Sequence, residues 1–126
     1  MIEGLGMDLI EVERVAGKIG RTAGFREEVF SKKEIDYCES KADKYVHYAA
    51  RFAAKEAFFK ALGTGWAQGT AFNEVEITHD AAGKPLLSLL GRTAMTLAGR
   101  GKMNISVSLS HLKSIASAVV IIEIVS

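Results

Sequence analysis

Residues 43–62 constrain the fold more than any other part of the sequence, because this segment is long, regular and apolar on most sides. Asp43 is a typical residue to cap the start of a helix and Gly63 a typical residue to end one, so the segment predicts one long helix. One side of it carries a stripe of small residues that lets another backbone approach: Val46, Ala49, Ala50, Ala53 and Ala57. Larger apolar residues lie on its other arcs: Phe52, Phe58, Phe59 and Leu62. A helix that is apolar on most sides is buried, so we expect this one to be the central element of the domain.

The first third of the chain predicts one strand and three shorter helices. The strand covers the first dozen residues and contains two glycines, Gly4 and Gly6. A helix is expected from about residue 11 to residue 21, where the apolar residues share one arc and three basic residues share another. Two short helices are expected at residues 25–30 and 31–39, the second because Ser31 followed by Glu34 matches a capping box.

The pattern changes to β-structure in the second half of the chain. The turn signal Asp80-Ala81-Ala82-Gly83 precedes an expected returning strand at residues 85–90. Residues 104–110 alternate strictly between polar and apolar side chains, which is typical of a strand. Residues 115–125 are apolar almost throughout, as in a strand covered on both faces by helices or by another subunit. The expected class is α+β, with early helices and one long central helix packed on a mainly antiparallel sheet.

Length and composition predict one domain over residues 1–126, since a single proline and no low-complexity stretch leave no candidate linker. Sixteen Lys and Arg residues against fifteen Asp and Glu residues give a formal net charge of +1, so no global electrostatic argument for a nucleic-acid partner exists. The longest apolar run, residues 118–122, is far shorter than the roughly 20 residues that span a bilayer. The first residues do not match a signal peptide, and the single cysteine, Cys38, excludes an internal disulfide. We therefore expect a soluble cytoplasmic domain without a membrane partner.

Two acids and one lysine are the leading candidates for chemistry. Glu56 and Lys60 are four residues apart beside the small-residue stripe, and they form either a simple i,i+4 pair or part of a site. Asp8 lies between apolar neighbours in the first strand, where it either faces water, caps the next helix or binds a metal. Together Asp8 and Glu56 could form a two-carboxylate Mg²⁺ site, because Mg²⁺ prefers hard oxygen ligands and keeps several waters. The sequence alone does not show that the two acids meet.

Other residues give weaker signals. His111 ends a strand whose other face carries only Asn and Ser side chains, so it is either structural or at the mouth of a ligand site. The run Gly63-Thr64-Gly65 is not a Walker motif, since no Gly-Lys-Ser/Thr follows. Three basic residues share one face of the predicted first helix: Arg14, Lys18 and Arg21. Such a stripe is either solvated or attracts an acidic partner through its local field.

Two segments closely resemble the signature segments of holo-[acyl-carrier-protein] synthases, the small stand-alone branch of the 4′-phosphopantetheinyl transferases. The first is Gly6-Met7-Asp8-Leu9-Ile10-Glu11-Val12, and the second is Arg51-Phe52-Ala53-Ala54-Lys55-Glu56-Ala57-Phe58-Phe59-Lys60-Ala61-Leu62-Gly63-Thr64-Gly65. The later landmarks Gly83-Lys84-Pro85 and Ser108-Leu109-Ser110-His111 follow in the same order, and the resemblance extends over residues 1–123. Phe72 differs, since many relatives have tryptophan there.

The resemblance implies a transfer of 4′-phosphopantetheine from coenzyme A to a serine of apo acyl carrier protein, with adenosine 3′,5′-bisphosphate as the other product, in support of fatty acid biosynthesis. It implies that Asp8 and Glu56 hold Mg²⁺ against the pyrophosphate of coenzyme A and that Lys60 contacts the phosphates. It further assigns a group of residues to the nucleotide: Arg51, Gly63, Thr64, Gly65, Pro85 and His111. The base that takes the serine proton is either Glu56 or a metal-bound water.

The resemblance also implies partners. Members of the family form homotrimers with active sites at subunit interfaces, and their first helix docks the acidic carrier protein. This implies that Arg14, Lys18 and Arg21 bind the carrier protein here. Two other interpretations remain open: a non-catalytic trimeric module that binds carrier proteins, and a metal-dependent pyrophosphatase that cleaves coenzyme A.

Overall fold

The computed structural model describes residues 1–65 and 68–125, and in these ranges it contains five strands and five α-helices. Their order is β1 (Ile2–Glu11), α1 (Val12–Arg21), α2 (Phe25–Val29), α3 (Lys32–Glu39), α4 (Lys44–Leu62), β2 (Val75–His79), β3 (Pro85–Leu89), α5 (Gly91–Leu97), β4 (Lys102–His111) and β5 (Ile115–Val125). Single turns of 3₁₀-helix precede β2 (Phe72–Glu74) and follow α5 (Ala98–Arg100). The predicted α+β class is confirmed.

The strands form two antiparallel sheets. One is three-stranded with the order β1-β5-β4, and the other is the β2-β3 hairpin. Asp8 of β1 pairs with Ala118 of β5, which in turn pairs with Leu109 of β4. The helix α4 packs against β1 and β5, and the β5 side chains that face it are buried: Ala116, Ala118, Val120 and Ile122. The central position predicted for this helix is therefore confirmed.

Two glycines of β1 set the distance between the strand and α4. A Cβ atom placed on Gly4 would lie 1.8 Å from the carbonyl oxygen of Ala61, and one placed on Gly6 would lie 1.9 Å from that of Ala57. Only glycine permits this approach, which brings the strand backbone against the helix backbone. The small-residue stripe predicted on the helix and the glycines of the strand thus belong to one contact.

The ends of the helices agree with the sequence except at one residue. Ser31 and Glu34 form the predicted capping box of α3, and Gly63, in the left-handed conformation with φ of 81°, ends α4. Asp43 does not cap α4 with its side chain. Its carboxylate lies instead 3.2 Å from Nε2 of His47, one turn into the helix. The competing side chain explains why the predicted cap is wrong.

The outer face of the three-stranded sheet is apolar on β1 and polar on β4. Leu5, Met7 and Leu9 are 65%, 59% and 61% exposed. In register, Leu5 lies opposite Ile121 and Met7 opposite Val119 on β5. The exposed β4 side chains on this face are Asn104, Ser106, Ser108 and Ser110. Among residues 1–65 and 68–125, only α4 covers β5, and it does so on one face. No helix in the described part of the chain combines the length and the apolarity needed to cross a membrane.

Candidate active site

Asp8 faces the central helix rather than the solvent. Its neighbours Met7 and Leu9 point to the outer face of β1, so the alternation of the strand turns Asp8 inward, where its side chain is 15% exposed. Nζ of Lys60 donates hydrogen bonds to Oδ1 of Asp8 at 2.9 Å and to the carbonyl oxygen of Met7 at 3.0 Å. The alternatives in which Asp8 faces water or caps α1 are therefore wrong.

Glu56 lies one helical turn before Lys60 on α4 and is partly buried. In the described part of the chain, no hydrogen bond or ion pair involves its carboxylate, so the simple Glu56–Lys60 pair is not formed. Burial raises the pKa of Glu56, and the nearby carboxylate of Asp8 raises it further, whereas the charges of Lys60, Lys18 and Arg14 act in the opposite direction. The two acids of the predicted site therefore interact electrostatically, although they are 48 positions apart in the sequence.

The two acids border one polar cavity. Its volume is about 210 Å³ and it is lined by Asp8, Leu9, Ile10, Arg14, Lys18, Phe52 and Glu56. Liquid water takes about 30 Å³ per molecule, so the cavity has room for a cation and several waters. Among residues 1–65 and 68–125, no group of three or more His, Cys, Asp and Glu side chains is arranged to hold a metal. Two carboxylates completed by water and substrate oxygens suit Mg²⁺, so these residues fit the predicted ion.

The basic residues of α1 line two neighbouring depressions. Arg14 and Lys18 line the cavity of the two acids, and Nζ of Lys18 lies 5.8 Å from the ring centre of Phe25. Arg21 lines an open groove together with Arg14, Glu11 and Glu13. Arg14 and Lys18 therefore place positive charge next to the candidate site.

Arg51 and His111 belong to a second cluster on another side of α4. Arg51 is 1% exposed, and its guanidinium lies 4.3 Å from the ring centre of Tyr37 and 3.4 Å from Nδ1 of His79. His47 contacts both Tyr37 and His111, at ring-centre distances of 5.6 and 6.2 Å. His47 and His79 thus contact Arg51 and Tyr37, and His111 contacts His47. We call this group the histidine–arginine cluster.

Three members of this cluster are absent from the residues predicted from the sequence: Tyr37, His47 and His79. One indirect signal points to His79. Pro85, which the resemblance assigns to the nucleotide, pairs with His79 in the β2-β3 hairpin. Burial lowers the pKa of both His47 and His79, and for His79 the charge of Arg51 lowers it further. Both imidazoles are therefore mainly neutral near pH 7.

The residues predicted to bind the nucleotide consequently lie in two places. Lys60 contacts Asp8, and the exposed run Gly63-Thr64-Gly65 leaves the helix three residues later, with Gly63 and Gly65 at φ of 81° and 62°. Arg51 precedes Lys60 by nine residues, or about 14 Å along the helix axis. None of the residues of the histidine–arginine cluster lines the cavity of Asp8 and Glu56.

The profile of the 4′-phosphopantetheinyl transferase superfamily matches residues 4–113. The chain belongs to this superfamily. It is 43% identical over 124 residues to a holo-[acyl-carrier-protein] synthase from Syntrophus aciditrophicus (strain SB), with 98% of this chain and 97% of that protein covered. The resemblance found in the signature segments is thereby confirmed.

Solved structures agree with the 4′-phosphopantetheinyl transferase assignment. The fold is similar to that of holo-[acyl-carrier-protein] synthase from Neisseria meningitidis, with a TM-score of 0.88, 31% identity and coverage of 98% of this chain and 99% of that one. It is also similar to the synthase from Bacillus anthracis str. Ames, whose structure is a complex with coenzyme A (3′,5′-ADP), with a TM-score of 0.82, 31% identity and 99% of both chains covered.

Cys38 does not line the cavity of Asp8 and Glu56. It is completely buried, and burial raises the pKa of its thiol to about 12. The thiolate that a nucleophilic cysteine needs is therefore absent at neutral pH.

Proposed function

We propose that this transferase moves 4′-phosphopantetheine from coenzyme A to a serine of apo acyl carrier protein, in a Mg²⁺-dependent reaction that releases adenosine 3′,5′-bisphosphate. The names of the relatives support the substrates. One observation carries the proposal: the carboxylates of Asp8 and Glu56 border one polar cavity together with the cations Arg14 and Lys18. We place the reaction in the cytoplasm, in support of fatty acid biosynthesis.

In this proposal Asp8 and Glu56 hold Mg²⁺, which neutralises charge on the pyrophosphate during transfer. The side chain of Lys60 is 54% exposed. Because its Nζ is hydrogen-bonded to Asp8, which lines the cavity, it can turn from Asp8 to a substrate phosphate and add a second positive charge.

Glu56 is also the proposed base for the serine hydroxyl. Its carboxylate is free of hydrogen-bond partners within the described residues, so an oxygen that does not bind the metal is available to accept the proton. The nucleophile belongs to the carrier protein, so the enzyme itself supplies the proton acceptor and the positive charges.

The carrier protein docks on α1 in this proposal. Arg14 and Lys18 are exposed on the helix and line the cavity of the two acids. An acidic partner attracted by them would approach with its serine close to Glu56. Arg21 extends the basic surface by one turn, with Glu11 and Glu13 in the same groove.

We further propose that three chains form a homotrimer whose active sites are shared between subunits. The exposed apolar side chains of Leu5, Met7 and Leu9 support a buried contact on the outer face of β1. The separation of the two groups of nucleotide residues supports a site in which Asp8 and Glu56 of one subunit work with the histidine–arginine cluster of the next.

Substitutions in the two acids test the metal site. Asp8→Asn and Glu56→Gln keep the size of each side chain and remove its charge, so each should lower the transfer rate by at least about 100-fold. Glu28→Gln, an exposed glutamate of α2, is the matched control and should keep the parental rate. Near-parental transfer by either acid variant at saturating Mg²⁺ would contradict the proposed site.

Mixing two inactive variants tests the shared site. Asp8→Asn and His111→Ala are each expected to be inactive, but equal amounts unfolded and refolded together should recover about one quarter of the parental activity in random cyclic trimers. If both residues served the same site from the same chain, the mixture would stay inactive.

A further inference from the structure

The most completely buried charges of the chain lie directly behind the candidate site. The side chains of Lys55 on α4 and Glu34 on α3 are both fully buried, and Nζ of Lys55 donates to Oε1 of Glu34 at 2.7 Å. A buried ion pair is costly to desolvate, and replacing it by apolar residues is often neutral or stabilising. A contribution to the stability of the fold therefore does not by itself explain why the chain has this buried pair.

The hydrogen bonds around the pair are complete and directional. Besides Glu34, Nζ of Lys55 donates to the carbonyl oxygens of Phe72 and Val75, so all three ammonium hydrogens are used. Glu34 accepts in addition from the backbone N–H groups of Ser31 and Ile77, each at 2.9 Å. These contacts, which we call the Glu34–Lys55 network, join α4 to α3 and to β2 with its preceding turn.

The network and the glycines of β1 hold α4 at different points of its circumference. Gly4 and Gly6 press the strand against the backbone of the helix at Ala57 and Ala61, which fixes the distance between strand and helix. The bonds of Lys60 to Asp8 and to the carbonyl oxygen of Met7 tie the helix to β1. The three directional bonds of Lys55 tie it to α3 and to β2, so they restrict rotation of the helix about its own axis from a second side.

Glu56 depends on that angle more than any other residue of the candidate site. It follows Lys55 directly, so it points about 100° away from it around the helix. Since no hydrogen bond or ion pair within the described residues holds its carboxylate, the backbone of α4 alone determines where it lies relative to Asp8. We infer that Lys55, held by Glu34, is a positioning residue that orients Glu56 toward the metal site shared with Asp8.

This inference rests on the proposed metal site, and Mn²⁺ binding tests both. Mn²⁺ replaces Mg²⁺ as a probe, because the electron paramagnetic resonance signal of the free ion disappears on binding, and titrations with coenzyme A present give its Kd. Lys55→Met removes the three directional bonds and keeps an unbranched buried side chain. It should weaken Mn²⁺ binding about tenfold, as expected when a supporting contact of a ligand is lost.

The control separates orientation from stability. Leu97→Ala truncates a side chain of α5 that is 5% exposed, so it should lower the thermal midpoint but leave the Kd for Mn²⁺ within about twofold of the parent. Lys55→Met should also lower kcat without raising KM for the carrier protein, because the basic face of α1 is untouched.

Parental Mn²⁺ affinity in folded Lys55→Met would overturn the inference and leave the metal site intact. If that variant does not fold, Glu34→Gln decides, since it removes the charge that pairs with Lys55 and turns one acceptor of the network into a donor; a parental Kd there would also overturn it. A parent that binds no Mn²⁺, alone or with coenzyme A, would overturn the proposed metal site and this inference together.

Discussion

The contact between Gly6 and α4 gives the most quantitative test of the architecture. In Gly6→Ala the new methyl carbon would lie 1.9 Å from the carbonyl oxygen of Ala57 and 2.7 Å from the nitrogen of Ala61. Real Cβ atoms essentially never come closer than 3.0 Å to such an atom. The strand and the helix must therefore separate by roughly 1 Å at the point where Asp8 and Glu56 face each other.

Two effects of known size follow from that separation. Overpacking of this kind costs about 1–3 kcal/mol of stability, and in a domain of this size each kcal/mol lowers the thermal midpoint by about 4 °C. A displacement of about 1 Å between groups that must act together lowers a rate by about 100-fold. Gly6→Ala should therefore lower the transfer rate about 100-fold and the thermal midpoint by about 4–12 °C.

The assay compares Gly6→Ala with Gly20→Ala. Gly20 lies in α1 with no atom within 4 Å of the site of an added Cβ, so alanine there should raise helix stability by up to about 1 kcal/mol and leave transfer unchanged. Thermal unfolding and the rate of carrier protein modification are measured for both variants. A Gly6→Ala protein with the parental midpoint and rate would refute the argument from the strand–helix contact.

Three further predictions concern single side chains. Burial raises the pKa of Glu56. This carboxyl therefore contributes stability below its ordinary pKa of about 4.3, and that stability is lost as the pH rises through the raised pKa. Glu56→Gln should raise the thermal midpoint at neutral pH, with a gain of less than about 1 kcal/mol in the free energy of unfolding, and should leave the midpoint unchanged in acid. Arg21→Glu should raise KM for the carrier protein about tenfold and weaken its dependence on salt, while KM for coenzyme A stays constant in steady-state kinetics. Cys38, whose thiol has a pKa of about 12, should react with iodoacetamide only after unfolding, as followed by mass spectrometry; rapid labelling of the folded protein would contradict its burial.

Much of the fold could be predicted because local signals and burial agree. The stripe of small residues in α4, the capping box at Ser31 and the alternation in β4 each indicate the element that the structure contains. The signature segments also identified the residues of the cavity, since Asp8 and Glu56 were singled out together. In each case the pattern lies within a few neighbouring residues, or within a motif specific enough to be recognised.

The remainder depends on contacts between residues far apart in the sequence. Lys60 is four residues from Glu56, and this spacing suggests a helical pair. In the structure, however, Lys60 pairs with Asp8 across the strand–helix contact. The burial of Arg51 beneath Tyr37 and His79 follows from how α3 and the β2-β3 hairpin pack on α4. The prediction of a single domain over residues 1–126 and the assignment of the nucleotide residues stay predictions.

The central claim is that this chain transfers phosphopantetheine with a metal held by Asp8 and Glu56. Intact-mass spectrometry of apo acyl carrier protein tests it most directly, after incubation with the protein, coenzyme A and Mg²⁺, and in parallel with EDTA. The account predicts a mass increase of one phosphopantetheine with Mg²⁺ and none with EDTA. An unchanged carrier protein in the presence of folded enzyme and Mg²⁺ would contradict the transfer, and full modification with EDTA would contradict the metal.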